Sequence, residues 1–228
     1  MTTIFGLKPT NVDYAVLVAD RQSTVMDQAG ASHGKFLERK LWKSKDHNFC
    51  VGHSGNRDER LQEFMQKLTD GKYDMEAVVK KGYFPELRKL NLTRVGKKIP
   101  DLGQLSGLLL ATRFNREPRL FTCFPLGAVE ERVWTCIGSG DKQITEYMAA
   151  LKIMSEAKNY LEDRSMNIQD TILVGLEAVR RAQSQDIYSH GLDMMVCSKK
   201  TINDHYADLG DDFANKLRRL QEKYKPKQ

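Results

Sequence analysis

The chain has 228 residues, 40% of them hydrophobic and 29% charged, with a formal net charge of +6. These values suit one packed globular domain and exclude wholesale disorder, and no apolar run approaches the ~20 residues of a membrane-spanning helix. Residues 216–228 hold six basic side chains against one acid, so the rest of the chain is nearly neutral and the basic end is expected to be solvated, not a nucleic-acid arm.

In chain order, residues 3–8 and 14–19 predict two strands around a turn at Pro9-Thr10-Asn11, and Asp20 ends the second. Residues 21–39 are polar and suit a long excursion that returns as a strand near Lys40-Leu41-Trp42. Asn48–Val51 predicts a strand, followed by a turn at Gly52-His53-Ser54-Gly55. Asn56 with Glu59 forms a capping box for a helix carrying Leu61, Phe64, Met65 and Leu68 on one face. A second helix begins near Asp74, and Gly82 and Pro85 are expected to break or kink it. Residues 105–112, 118–124 and 131–137 predict three strands. A Gly138-Ser139-Gly140 turn leads into a helix through Ile144, Tyr147, Met148 and Leu151. A further helix runs through Ile168, Ile172, Leu176 and Val179 to about Asp186, followed by a strand at 192–197 and a last helix through Phe213, Leu217, Leu220 and Tyr224. Strands and helices come in blocks, which indicates an α+β layered domain.

Four cysteines (Cys50, Cys123, Cys136, Cys197) are scattered without metal-ligand spacing and read as reduced thiols in a cytoplasmic protein. The opening MTTIFGLKPT has no charged stretch before an apolar one, so no secretory leader is expected.

Five features carry chemistry. Removal of Met1 exposes Thr2, whose hydroxyl is a nucleophile and whose α-amine, with an ordinary pKa of about 7.7–8.0, is a base. A threonine at position 2 is also common and carries no meaning alone. Asp20 and Lys40 sit at ends of neighbouring predicted strands, where they form either a charge pair beneath a nucleophile or a surface pair worth ~0–1 kcal/mol. Gly138-Ser139-Gly140 offers backbone N–H groups at a helix start, but is too short for a phosphate loop. Asp186 and Ser189 place a carboxylate and a hydroxyl three residues apart before a strand.

Together and in this order, these pieces resemble the proteasome β-type subunit family of N-terminal-nucleophile hydrolases. TTIFGLK…AVLVADRQST is similar to that family's TT-x-x-G…AADRR-x-T opening, and KLWKSKDHNFCVGHSGNRD to its KIF-x-I…AG…D segment. IGSGD resembles its turn before the third helix, and QDIYSHGLD its RD-x-x-S-x-GG-x-D ending. The resemblance spans residues 2–200, and implies a four-layer αββα sandwich over them, with 201–228 as a C-terminal helical extension ending in the basic tail.

The resemblance also implies a function. Thr2 matches the nucleophile, Asp20 and Lys40 the acid–lysine pair, Ser139 and Ser189 two serines near the α-amine, and Asp186 the acid that orients them. Ser54 falls where a backbone N–H binds the oxyanion, although the family usually has glycine there. Thr24 matches the residue whose backbone pairs with an extended substrate, and Glu38, Trp42, Gly52 and Asn56 a side-chain pocket, in which the Glu38 carboxylate favours lysine or arginine. The loop between Asp20 and Lys40 is longer than the family's. The implied activity is threonine-dependent peptide hydrolysis through an acyl-enzyme, in a self-compartmentalising ring. The substrate is an unfolded polypeptide or peptide. The implied partners are other proteasome-type subunits and an ATPase or other activator, with no cofactor, metal, nucleic acid or membrane. A non-hydrolytic structural ring subunit and an amide transferase or protein ligase on the same scaffold stand as alternatives.

Overall fold

The computed structural model describes residues 3–9, 12–26, 32–55, 58–95, 105–154, 166–184 and 192–206. Its order is β1 (Thr3–Leu7), β2 (Tyr14–Asp20), β3 (Gln22–Met26), β4 (Ser32–Leu37), β5 (Leu41–Lys43) and β6 (Phe49–Ser54), then α1 (Glu59–Thr69), α2 (Met75–Lys81) and α3 (Pro85–Val95). There follow β7 (Gly107–Thr112), β8 (Arg119–Cys123), β9 (Val129–Glu131), β10 (Trp134–Gly138), α4 (Asp141–Met154), α5 (Ile168–Ser184), β11 (Leu192–Ser198) and β12 (Ile202–Tyr206).

The strands form two five-stranded sheets, β10-β1-β2-β11-β12 and β5-β6-β7-β8-β9, with β3 and β4 as a separate pair. Every strand pairing is antiparallel. The alternation of side chains along each strand builds the layers. Ile4, Ala15, Leu17 and Ala19 of the first sheet meet Leu41, Cys50, Leu109 and Leu120 of the second in a core between the sheets. The opposite faces carry Phe5, Leu7, Val16 and Val18 against α4 and α5, and Phe49, Val51, Leu108 and Leu110 against α1–α3. The result is the αββα sandwich. It explains why YAVLVA is apolar throughout: both faces of β2 are covered, which an antiparallel strand with one wet face would not require.

Several local expectations are corrected. The polar stretch 21–39 is a strand pair, β3–β4, with Thr24 opposite Lys35. β6 runs on to Ser54, so Gly52 and His53 are strand and not turn. The helix cap is Asp58, whose side chain accepts the Leu61 N–H at 2.8 Å, two residues beyond the expected Asn56. Gly82 closes α2 in the left-handed region (φ 66°), and Pro85 opens α3 as its first residue instead of breaking a helix. The single strand expected at 131–137 is two strands in different sheets, because the chain crosses from β9 to β10 at Arg132-Val133. Thr122 and Thr135 then bond through their hydroxyls at 2.8 Å from one sheet to the other. β12 carries the first sheet beyond residue 200, where the sequence placed the end of the domain. The expected last helix, 213–224, lies outside the described residues.

Burial pushes the thiols of Cys123 and Cys197 up to about 12, and raises that of Cys136, which also donates to the Asp141 carboxylate. Asn91, fully buried on α3, fixes the entry to β7. Its amide donates to Ser106 O and Pro125 O, both at 2.9 Å, and its oxygen accepts the Ser106 N–H at 2.8 Å. Asn91→Leu leaves these backbone groups without that partner, at roughly 1–3 kcal/mol each if they stay dry. The expected outcome is a loss of about 3 kcal/mol in urea unfolding at unchanged slope. A loss below 0.5 kcal/mol would show that water replaces the amide.

Candidate active site

β2 ends in a carboxylate because its apolar run meets the edge of the sandwich there. Asp20 is only 2% exposed, and so is Lys40, the residue before β5. The Lys40 ammonium donates to Asp20 Oδ2 at 2.8 Å. Asp20 Oδ1 accepts the Thr3 N–H at 2.6 Å. That N–H belongs to the peptide bond joining residue 2 to β1. The pair therefore links the first sheet, through β2, to the chain entering the second. The surface-pair alternative fails on burial. Removing both ions from water costs several kcal/mol each, and only close hydrogen-bonded pairing offsets it.

Lys40 is also held through its main chain. Its backbone N–H donates to Asp193 Oδ2 at 3.0 Å, while Arg21 Nε lies 3.4 Å from Asp193 Oδ1. Asp193 is buried near the start of β11. The QDIYSHGLD resemblance contains Asp193 but assigns it no role. The signal was a carboxylate within the otherwise apolar LDMMVC.

The Gly-Ser-Gly turn sits where expected. Gly138 pairs with Thr3 across β10–β1. Gly140 packs so closely that a Cβ there would lie 2.6 Å from Thr3 Oγ1 and 2.5 Å from the Ala182 Cβ. Ser139 lies between them, exposed, at the N-terminal end of β1. Gly140 O accepts the Ile144 N–H at 3.1 Å, which starts α4. Ser54 closes β6 opposite Gly107. The first residue past that ladder is Gly55, at φ 106°, where a Cβ would meet Leu105 O at 2.8 Å. Thr24 lies on β3, and among the described residues β3 pairs only with β4, which leaves its other edge open.

Glu38 is half-buried and its backbone N–H donates to Arg21 O at 2.8 Å. It is not among the residues that line a cavity on the α1 side of the second sheet. That cavity, about 190 Å³, lies between β5–β6 and α1, lined by Trp42, His53, Gln62, Met65, Gln66 and Thr69. Trp42 and His53 stack with ring centroids 4.9 Å apart. Gly52 faces the other way, and a Cβ on it would strike Ile4 Cδ1 at 2.7 Å. Of the expected pocket residues that are described (Glu38, Trp42 and Gly52), Trp42 alone is in this lining. His53 joins the lining because β6 reaches Ser54, and alternation then puts Val51 and His53 on the α1 face, where Gln62, Met65, Gln66 and Thr69 of α1 meet them. Thr2, Asn56, Asp186 and Ser189 lie outside the described residues.

A double-mutant cycle tests the buried pair. Lys40→Met alone is expected to destabilise the chain by roughly 3–5 kcal/mol, and Lys40→Met with Asp20→Asn by distinctly less. Additive losses in urea unfolding would show that the two charges are not coupled.

No protein-family model matches the chain. It is similar to the proteasome subunit alpha of Methanosarcina mazei, 27% identical over 236 aligned positions that cover 98% of this chain and 84% of the relative. It is also similar to the proteasome subunit alpha of Methanosarcina thermophila, 28% identical over 162 positions, covering 66% of this chain and 60% of that one. These similarities support the proteasome family, and both relatives carry the alpha name, whereas the motifs resemble the beta type.

Proposed function

We propose that this chain is a threonine-type peptidase subunit of a proteasome-like ring, working in the cytoplasm on unfolded polypeptide. The observation that carries the reading is the buried Asp20–Lys40 pair hydrogen-bonded to the peptide between residues 2 and 3. With Met1 removed, the Thr2 hydroxyl attacks a peptide carbonyl and its α-amine takes the proton. The Lys40 ammonium, held by Asp20, lowers the pKa of both groups. The oxyanion is bound by a backbone N–H at the end of β6, at Ser54 or at Gly55 beside it. An extended substrate adds along the open edge of β3 at Thr24. Ser139, with Asp186 and Ser189 as the resemblance places them, orients the amine. The α-amine passes its proton to the leaving nitrogen as the peptide C–N bond breaks, which leaves an ester on Thr2, and water then hydrolyses that ester to a free carboxylate and the regenerated hydroxyl.

The alpha names favour a second reading, a ring subunit without peptidase activity, since alpha-type subunits are generally non-catalytic. One preparation separates the two. The intact mass shows whether Met1 is gone, native mass shows the ring, and fluorogenic peptides show turnover. Wild type without Met1 is expected to cleave, Thr2→Ala not at all, and Lys40→Ala at about 10²–10⁴-fold lower kcat. An assembled ring that lacks Met1 and cleaves nothing decides for the non-catalytic subunit.

The cavity beside Trp42 bears on specificity. None of its described lining is a carboxylate. It therefore favours an uncharged residue before the scissile bond over the basic one implied by Glu38. Peptides differing only in Leu, Arg or Glu at that position are expected to rank with Leu first, and Glu38→Gln to leave the order intact. Arg in first place, lost on Glu38→Gln, would restore Glu38 as the pocket base.

A further inference from the structure

Asp20 and Asp193 lie on neighbouring strands but on opposite faces of the first sheet. The register pairs Asp193 with Ala19 and Asp20 with Leu192. Directly opposed residues share a face. Asp193 therefore belongs with Ala19, Met195 and Cys197 in the core between the sheets, and Asp20 with Val18 and Leu192 on the side of α4 and α5. Lys40 straddles the end of the sheet. Its ammonium reaches the carboxylate of one face at 2.8 Å, and its main-chain N–H reaches the carboxylate of the other at 3.0 Å.

We propose that Asp193 is a positioning residue for Lys40. A lysine carries its charge on a flexible four-carbon stem, so a bond to the ammonium alone fixes the charge and not the chain beneath it. Asp193 fixes the chain. It anchors the junction between β4 and β5 to β11, so that the stem starts from one place and the ammonium stays on Asp20. The second Asp193 oxygen faces Arg21, whose Nε lies 3.4 Å away. Asp193 touches no reacting atom in this scheme. Its catalytic consequence rests on the peptidase reading above, whereas the clamp itself does not.

Three variants and two readouts test this. Asp193→Ala removes the acceptor, Asp193→Ser keeps a polar group but shortens its reach, and Asp193→Asn keeps an oxygen at the same distance. Hydrogen exchange at the Lys40 amide is expected to be slow in wild type and Asp193→Asn, and at least about tenfold faster in Asp193→Ala and Asp193→Ser while neighbouring core amides stay protected. In the assembled ring, kcat for a fluorogenic peptide is expected to fall by roughly 10²-fold in Asp193→Ala, with KM nearly unchanged, and to recover most of the loss in Asp193→Asn. If Asp193→Ala does not fold, Asp193→Ser carries the same expectation. Unchanged Lys40 exchange in the shortened variants overturns the clamp. Faster exchange with unchanged kcat overturns the positioning role, as does an Asp193→Asn protein that is folded yet as slow as Asp193→Ala. If wild type is inactive, the peptidase reading falls by itself, and Lys40 exchange alone decides the clamp in either direction.

Discussion

The arrangement depends on a buried charge pair at the end of a strand. Asp20 and Lys40 are each 2% exposed. Two ions placed there lose their hydration, and their attraction offsets that loss only while they stay close and otherwise hydrogen-bonded. Each partner comes from a different sheet: Asp20 ends β2, and Lys40 leads into β5. The lysine's four-carbon stem is flexible, so the pair keeps one geometry only while the two sheets and the chain beneath Lys40 hold one relative position.

The sandwich supplies that rigidity in ways that can be named. The inward faces interdigitate small and large side chains, with Gly52 leaving room for Ile4. The chain crosses between sheets at Arg132-Val133, and the Thr122–Thr135 bond ties the crossing on either side. Near the pair, Gly140 brings the start of α4 against Thr3 and Ala182, where any side chain would collide. Asn91 holds Ser106, which in turn abuts Gly55 at the end of β6. Small residues and one buried amide thus allow the close approaches at Thr3 and at the end of β6.

Much of this was legible in the sequence, for physical reasons. Strands covered on both faces are long apolar runs, and a carboxylate ending such a run is conspicuous, so β1, β2, β11 and Asp20 stood out. Helices with one buried face gave α1, α4 and α5 by their spacing. What stayed hidden was decided by tertiary contact. Gln22–Met26 and Ser32–Leu37 show no apolar alternation in the sequence, so only their pairing reveals them as strands. The β9–β10 split is invisible in sequence because apolar and polar residues read alike on either sheet. Gly52 and His53 looked like a turn because glycine beside a polar residue usually is one. Only the ladder opposite β7 shows that glycine there serves the close approach of two sheets. Asp193 is visible as a carboxylate in an apolar run, but its role is not: its partner is a backbone N–H, and a main-chain partner leaves no mark on the sequence.

The similarity to alpha-named subunits and the beta-like motifs are not in physical conflict. Chains that share a fold share its pattern of burial whatever their chemistry, so identities of 27–28% do not by themselves decide between the two types. Catalysis rests on a handful of side chains that contribute little to such a score. The energetics of the buried pair bear on the choice. Replacing a buried ion pair with well-packed apolar residues is often neutral or stabilising by about 1–4 kcal/mol. A subunit with only an assembly role gains nothing in stability from Asp20 and Lys40, and has an easy route to a pair that costs less to bury. Here the pair sits at the peptide joining residue 2 to the fold, with a second buried carboxylate holding the lysine's main chain. Such an arrangement is costly as architecture, and its cost is accounted for if the charge has work to do on residue 2.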